Sequence, residues 1–156
     1  MDDANQDFYY RNTGRRDVAQ MVAEEYFTDK KIFWRNFGTD PKDDNPVPGE
    51  MFFKMPSFIQ RTPDMFAINS KFVFVEVKGC KDKLKIKIDD YKEYVKWNQI
   101  APLMFFIYST TMNEKYLFSI EQFDSKLKGA LIGAYNDNGK VYFEIDIKDV
   151  GEYLVN

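Results

Sequence analysis

The sequence contains no histidine and only one cysteine, Cys80, among its 156 residues. The absence of histidine excludes catalytic triads that depend on an imidazole, and it excludes zinc sites with imidazole ligands. A single cysteine cannot form an intrachain disulfide, which is typical of a protein from a reducing compartment. Any metal ion must therefore be held by carboxylates, carbonyl groups and water, and these ligands favour Mg²⁺ or Mn²⁺. We expect no small-molecule cofactor.

Long apolar runs are also missing. The stretch PLMFFIY at 102–108 is among the longest, and it is far shorter than the roughly 20 residues that a membrane-spanning helix needs. The first residues, MDDANQDFYYRN, lack the basic start and apolar core of a signal peptide. We therefore expect a cytoplasmic protein with no membrane partner. The richness in Lys, Asn, Ile, Phe and Tyr is typical of an AT-rich genome, such as that of a phage or a low-GC bacterium, so the cytoplasm is that of a bacterium or a phage-infected host.

The net charge of −3 does not by itself suggest a nucleic-acid binder, but the charges are unevenly distributed. Eight lysines lie between Lys71 and Lys96, whereas acidic residues gather near the N-terminus and in the loop at 38–50. A local basic stripe predicts contacts with phosphate groups. The candidate DNA-binding residues are Arg15, Arg16, Lys81, Lys83, Lys85 and Lys87. The alternative interpretation of the lysines is a solvated strand edge, where lysine discourages aggregation.

Hydrophobic periodicity predicts a flexible arm at 1–13 and a single domain at 14–156. Helices are expected at about 14–27, 89–99 and 121–129, and the last residues, 149–156, are expected to form a helical turn or two. Strands are expected at 30–37, 64–68, 71–78, 84–88, 102–110 and 114–120, followed by a hairpin at 134–145 with an Asn-Gly turn. This order predicts an α/β domain around one central sheet.

Three charged residues stand in an apolar pair of strands. Glu76 and Lys78 are two positions apart on one strand, so their side chains leave the same face, and Asp64 begins the preceding strand. The same face carries Phe72 and Phe74. Charges in such surroundings are costly unless they are paired or bound to a metal. The pattern therefore indicates a site rather than a solvated strand.

Two carboxylates and a lysine suit phosphodiester hydrolysis. A divalent cation held by two carboxylates polarises a phosphoryl oxygen and lowers the pKa of a bound water. A neighbouring lysine orients or activates that water, or neutralises the charge that grows on the phosphate. Each of the three residues therefore has a chemical role in cutting a nucleic-acid backbone.

Pro63-Asp64 followed by Glu76-Val77-Lys78 resembles the PD-(D/E)xK nuclease superfamily, and the resemblance covers about residues 14–110. The small Holliday junction resolvase-type endonucleases are the most similar members. The resemblance implies a restriction-endonuclease-like fold, with a central mixed β-sheet flanked by helices (an α-β-β-β-α-β core). The C-terminal hairpin and helix predicted from the residue pattern form an extension of this core. It implies that Asp64, Glu76 and the backbone carbonyl of Val77 bind Mg²⁺ or Mn²⁺, and that Lys78 is the catalytic lysine.

The family also places a carboxylate on the first helix, and this chain offers three candidates. Asp17 is preferred, because it lies near Gly14 as the family acid does. Glu24 and Glu25 are the alternatives, and helical spacing puts Glu25 on the same stripe as three apolar residues, Val18, Met21 and Val22.

The function predicted from these residues is metal-dependent endonucleolytic cleavage of DNA. The preferred substrate is a Holliday junction or other branched DNA, with duplex DNA as the alternative, and the resemblance implies a homodimer. The rival interpretations are an exonuclease or a restriction-type nuclease of the same fold, and a nuclease-fold module that binds DNA or a protein without cutting.

Overall fold

The computed structural model of the chain describes residues 17–39 and 47–156. The predicted arm at 1–13 and the candidate DNA-binding residues Arg15 and Arg16 lie outside these described residues. The helices are α1 (Val18–Asp29), α2 (Gly49–Phe52), α3 (Ser57–Gln60), α4 (Ile88–Ile100) and α5 (Ile120–Lys126). The strands are β1 (Phe33–Asn36), β2 (Met65–Ile68), β3 (Phe72–Cys80), β4 (Lys83–Lys87), β5 (Leu103–Ser109), β6 (Glu114–Ser119), β7 (Leu131–Ala134), β8 (Val141–Asp146) and β9 (Leu154–Val155). Two 3₁₀ segments are Leu127–Gly129 and Ile147–Tyr153.

The central sheet has the strand order β1-β2-β3-β5-β6-β9. Its pairs are antiparallel except for β3 and β5, which run parallel. A parallel pair requires a long crossover, and the chain provides one through β4 and α4. The apolar run of β5 is buried on both faces, with Leu103, Phe105, Phe106 and Ile107 inaccessible to solvent. The predicted mixed α/β fold, with helices flanking a central sheet, is confirmed.

Helix α1 packs on one face of the sheet through small side chains. Ala19 and Ala23 are buried against a cluster that includes Val75 of β3. The predicted apolar stripe is wrong in part, because Val18 and Met21 are 55% and 48% exposed. The physical reason is that alanines let a helix approach a strand more closely than longer side chains do.

The other face of the central sheet is covered by α4 and by a second sheet. This second sheet has the order β4-β8-β7, and the sequence patterns did not predict it beside the central sheet. Leu84 and Ile86 of β4 are buried in the main core, together with Trp97 of α4. Because Leu84 and Ile86 pack onto this core, β4 lies over the central sheet and does not join it as a strand. The predicted hairpin is confirmed in β7 and β8, and Gly139 adopts φ +66° in its turn, where the missing side chain avoids strain.

Local signals were less accurate at element ends. Lys87 stands at the N-cap of α4, so the helix begins one residue before the predicted range, and Asp89 and Asp90 occupy the first turn, where a negative charge interacts favourably with the helix dipole. At the C-terminus the predicted helical turn is a 3₁₀ segment, after which β9 adds a short strand beside β6. No helix among the described residues has the length and apolar character needed to cross a membrane.

Candidate active site

The pairing of β2 with β3 brings Asp64 and Glu76 together. Met65 of β2 lies opposite Val75 of β3, so one further step of the antiparallel register places Asp64 opposite Glu76. Residues that oppose each other in a sheet share a face. The Oδ2 atom of Asp64 accepts a hydrogen bond from the backbone N–H of Val77 at 2.7 Å. Asp64 is therefore fixed beside the centre of β3.

The backbone of Asp64 is fixed as well. Its carbonyl oxygen accepts hydrogen bonds from the backbone N–H groups of Phe37 (2.9 Å) and Gly38 (3.2 Å). A side chain at Gly38 would place its Cβ 3.3 Å from the Cα of Asp64, which is tighter than an ordinary contact. The segment after β1 thus packs closely against the start of β2, and this packing restricts the position of the Asp64 carboxylate.

Glu76 is a buried carboxylate with two partners on one oxygen. Its exposed fraction is 3%, and its Oε1 atom lies 2.6 Å from the Nζ of Lys78. The Oη of Tyr94, on α4, donates to the same Oε1 at 2.5 Å. Within the described part of the chain, the polar contacts of the Glu76 side chain all fall on Oε1. The Oε2 atom therefore keeps its capacity to accept a further ligand.

The electrostatics of the site hold Lys78 in its charged form. Burial is the largest single effect and lowers the pKa of Lys78, but the charges of Glu76, Tyr94 and Asp64 and the hydrogen bond to Glu76 together outweigh it. The pKa of Lys78 is therefore raised well above its usual range. The pKa of Tyr94 is also raised, first by burial and then by Glu76. These mutual effects place the two carboxylates, the ammonium and the phenol within one electrostatic group.

The first-helix acids do not join this group. Asp17 is the N-cap of α1, and its Oδ1 accepts from the backbone N–H of Ala19 at 3.0 Å. It lies beside Gly79, whose absent side chain would point to the face opposite Lys78. The structure therefore does not bring Asp17 to Glu76, and the geometry gives it the role of a helix cap.

The two alternative acids also differ from their expected positions. The expectation that Glu25 faces inward is wrong, because Glu25 is exposed, whereas Glu24 is buried, with only 9% of its surface exposed. Glu24 accepts a hydrogen bond from Gln20 at 3.5 Å, and it lies on the α1 side of the sheet. Helical spacing alone misplaced the apolar stripe, and with it the inward-facing acid.

A divalent metal would find two carboxylates here. Residues 17–39 and 47–156 contain no group of three or more aspartate, glutamate, cysteine or histidine side chains arranged to hold a metal ion. The donors that would hold the ion are Asp64, Oε2 of Glu76 and the backbone carbonyl of Val77. All three are oxygens, which suits a hard cation such as Mg²⁺, and this cation commonly keeps several waters and needs few protein carboxylates. The donor set therefore fits the predicted metal in chemistry.

Basic residues surround the open side of the site. Arg61 forms an ion pair with Asp90 at 2.6 Å. The pKa of Lys87 is lowered mainly by burial; the charge of Asp90 opposes this effect, while Lys140, Lys78 and Arg61 add to it. The charge of Lys78 thus acts on Lys87, one of the predicted DNA-binding lysines.

The remaining predicted lysines lie farther along the same chain segment. Lys81 is exposed in the turn after β3, and Lys83 and Lys85 project from the outer face of the second sheet. Both of the latter pair with one carboxylate, Glu144, at 2.9 Å and 3.5 Å. They therefore form a partly compensated basic surface.

Tyr94 is a site residue that the sequence analysis did not identify. It lies three positions before Trp97 on α4, and both side chains are buried. A tyrosine on the inward face of a helix needs a partner for its hydroxyl, and a glutamate on the facing strand satisfies that need. This pairing rule was the signal that would have found it.

The fold and the site together define a mixed α/β protein with a carboxylate–lysine group beside a central hairpin. No family model matches the chain, and a comparison with curated proteins gives no match. Among solved structures, the chain is similar to Hjc from Archaeoglobus fulgidus, a Holliday junction resolvase from an archaeal hyperthermophile. The identity is 14% and the TM-score is 0.49, over 85% of this chain and 94% of that chain. Neither value is high enough to transfer a residue role or an activity.

Proposed function

We propose that this protein is a divalent-metal-dependent nuclease that hydrolyses phosphodiester bonds in DNA. The observation that carries the proposal is the buried Glu76 carboxylate, paired with Lys78 on one oxygen and adjacent to Asp64 across the hairpin. Replacing a buried ion pair with apolar residues is often neutral or stabilising, so stability alone gives little reason for this pair on a core strand. A role in chemistry provides one.

Each residue has a distinct part in the proposed reaction. A bound divalent cation would polarise the scissile phosphate and lower the pKa of a water. Asp64, oriented by the N–H of Val77, and Glu76, oriented by Tyr94, supply the carboxylate oxygens. The Lys78 ammonium is positioned to donate a hydrogen bond to that water or to a phosphate oxygen, which stabilises developing negative charge.

The decisive experiment compares cleavage of supercoiled, linear and four-way-junction DNA in Mg²⁺, Mn²⁺ and EDTA. Cleavage is expected in a divalent metal and is expected to be abolished by EDTA. The variants Asp64→Asn, Glu76→Gln and Lys78→Met are each expected to reduce the rate by roughly 100-fold or more.

Glu93→Gln is the matched control, because Glu93, like Glu76, is a buried glutamate with a lysine partner. The partner is Lys96, at 2.9 Å. Glu93 lies on α4 outside the proposed site, so the cleavage rate of the Glu93→Gln variant is expected to stay near that of the wild type. An equal loss in this control would attribute the other losses to folding and contradict the proposed roles.

A second candidate function is DNA binding without cleavage. It is favoured by the direct contact of Glu76 with Lys78, and by the lack of a third metal-binding side chain among the described residues. DNA binding with no cut product in any metal would establish this alternative. A second, independent readout is Mn²⁺ binding by calorimetry, which the nuclease requires and which Glu76→Gln is expected to weaken.

The finer proposals concern substrate and assembly. The sequence motif supports branched DNA, including Holliday junctions, as the substrate, and it supports a homodimer in the cytoplasm of a bacterium or of a phage-infected host. The junction-to-duplex cleavage ratio tests the first point. Light scattering of the purified protein, with a mass of 18.5 kDa per chain, tests the second.

A further inference from the structure

The outer face of the second sheet carries two tyrosines side by side. Strand alternation places Tyr142 of β8 and Tyr135, just after β7, on this face, and both are half-buried. Their ring centroids are 4.5 Å apart with the planes tilted by 56°. Tyr142 lies over Gly133, where an added Cβ would come within 2.7 Å of its ring. The missing side chain therefore lets the ring lie flat along the sheet.

Lysines surround these two rings. The Nζ of Lys85 lies 4.6 Å from the ring centroid of Tyr142, and the Nζ of Lys87 lies 5.9 Å from that of Tyr135. Lys140 lies opposite Tyr135 across the hairpin, and its backbone carbonyl accepts a hydrogen bond from the backbone N–H of Tyr135 at 3.0 Å. We name this surface the tyrosine–lysine face, and it consists of Lys85, Lys87, Tyr135, Lys140 and Tyr142.

One carboxylate serves two lysines at the edge of this face. Lys83 and Lys85 share a single carboxylate, that of Glu144. These lysine side chains are 54% and 39% exposed, and exposed ion pairs of this kind are weak. A phosphate group can therefore compete with Glu144 for Lys85.

The tyrosine–lysine face adjoins the candidate active site. Lys87 is the N-cap of α4, the helix that carries Tyr94 into the site. The charge of Lys78 also acts on both Lys87 and Tyr135, where it contributes to the pKa of each group. A strand that lies along this face would therefore reach the start of α4, the helix whose Tyr94 contacts Glu76.

We infer that the tyrosine–lysine face binds single-stranded DNA, with unpaired bases stacked on Tyr135 and Tyr142 and phosphates held by Lys85, Lys87 and Lys140. A sheet that presents aromatic rings beside cationic groups is suited to unstacked bases. The base faces of a duplex are covered by neighbouring bases, so a duplex cannot stack its bases on these two rings. The inference rests on the proposed function, because it names the substrate class of the same site: DNA with a single-stranded arm beside the bond that is cut.

Binding is measured by fluorescence anisotropy with a labelled oligothymidine and with a labelled duplex of equal length, in EDTA so that no cleavage occurs. The oligothymidine is expected to bind more tightly than the duplex. Tyr135→Leu and Tyr142→Leu are each expected to weaken oligothymidine binding roughly tenfold, because one stacked base is lost in each variant.

Two further variants separate stacking from other effects. Tyr142→Phe keeps the ring and is expected to bind like the wild type. Tyr108→Leu removes a half-buried tyrosine that packs on the α1 side of the central sheet, and it is also expected to leave the affinity unchanged. Thermal melting followed by circular dichroism confirms that each variant is folded. Equal affinity for the two DNA forms, unchanged affinity in both leucine variants of the face, or an equal loss in Tyr108→Leu would overturn the inference.

Cleavage assays distinguish this inference from the proposed function. Flap DNA and duplex DNA are compared in Mg²⁺, and faster cutting of the flap that is lost in Tyr142→Leu supports both proposals. Metal-dependent, Glu76-dependent cutting that is unaffected by both tyrosine variants would refute the face and leave the nuclease intact. Tyrosine-dependent binding of oligothymidine without any cleavage would refute the nuclease and leave the face intact.

Discussion

Replacement of Lys78 by methionine tests whether Glu76 and Lys78 form one coupled unit. The variant leaves the Glu76 carboxylate buried, at 3% exposure, without its ammonium partner. Removal of one member of a fully buried pair costs about 3–5 kcal/mol. Because the Lys78 side chain is 30% exposed, part of that cost is screened by solvent, and we expect a loss of about 2–3 kcal/mol. For a chain of this length the midpoint of thermal unfolding should fall by about 5–10 °C.

The double variant Glu76→Gln with Lys78→Met provides the coupling energy. It removes both charges, so we expect it to be less destabilised than the sum of the two single variants by about 1–2 kcal/mol. Urea unfolding followed by tryptophan fluorescence measures all four proteins, since Trp97 is buried in the same core as Tyr94.

Lys92→Met is the control for a lysine in an exposed pair. The ammonium of Lys92 lies 3.6 Å from Asp89, and both side chains are largely exposed, so its effect should stay within about 0.5 kcal/mol. Additive single effects in the cycle, or a Lys78→Met loss no larger than that of Lys92→Met, would show that the pair is not a coupled buried unit.

Three further predictions concern other features of the fold. Gly38→Ala places a Cβ 3.3 Å from the backbone of Asp64, so we expect a loss of about 1–2 kcal/mol in urea unfolding and slower cleavage. Gly129→Ala meets no atom within 4 Å and should cost nothing, and a similar loss in both variants would contradict the packing argument. Burial, with a smaller effect of Asp82, raises the pKa of the Cys80 thiol from 9.0 to about 11. Because the raised pKa lowers the thiolate fraction below that pH, maleimide-type alkylation at pH 8 should be roughly 100-fold slower than for a free cysteine, with a pH–rate midpoint near 11. A midpoint near the ordinary value would contradict this environment. Ser119→Ala removes the capping box of α5 and should cost about 1 kcal/mol, whereas Ser125→Ala, an exposed change on the same helix, should be close to neutral. Equal effects of the two serine substitutions would contradict the capping role.

The hairpin of β2 and β3 was predictable because its signals are local. The strands alternate, the turn at Asn69 and Ser70 is short, and a short turn leaves one antiparallel register that buries the apolar face. Once that register is set, the proximity of Asp64 to Glu76 follows. The carboxylate–lysine group was therefore accessible from the sequence, and the structure places its members as neighbours.

The inward face of α1 was not predictable from the same rules. Hydrophobic periodicity gives weight to Val18 and Met21, whereas the helix is buried through Ala19 and Ala23. Alanine has little hydrophobic surface to signal burial, yet its small size permits close packing against a strand. The placement of the alternative acid Glu25 on the inward stripe depended on those residues and was therefore wrong.

The separate second sheet was missed because its pairing is distant in sequence. The alternation in β4 predicts a strand with one apolar face, but it does not reveal the neighbour of that strand. The structure pairs Lys85 with Glu144, and no local signal connects positions so far apart. The lysines were recognised as a basic stripe, while the tyrosines that share their face became apparent only from the pairing.

The order of the two charges along β3 has a physical explanation. Phe74 and Glu76 are only 4% and 3% exposed, whereas the side chain of Lys78 is 30% exposed, so this face of the strand opens to solvent between Glu76 and Lys78. The carboxylate therefore lies at the inner end, where Tyr94 satisfies it, and the ammonium lies at the open end, next to the basic residues around Lys87. With the charges reversed, a carboxylate would face an incoming phosphate and repel it, and the ammonium would lose its access to solvent. The observed order favours the entry of an anion, and the proposed phosphodiester substrate would require such an entry.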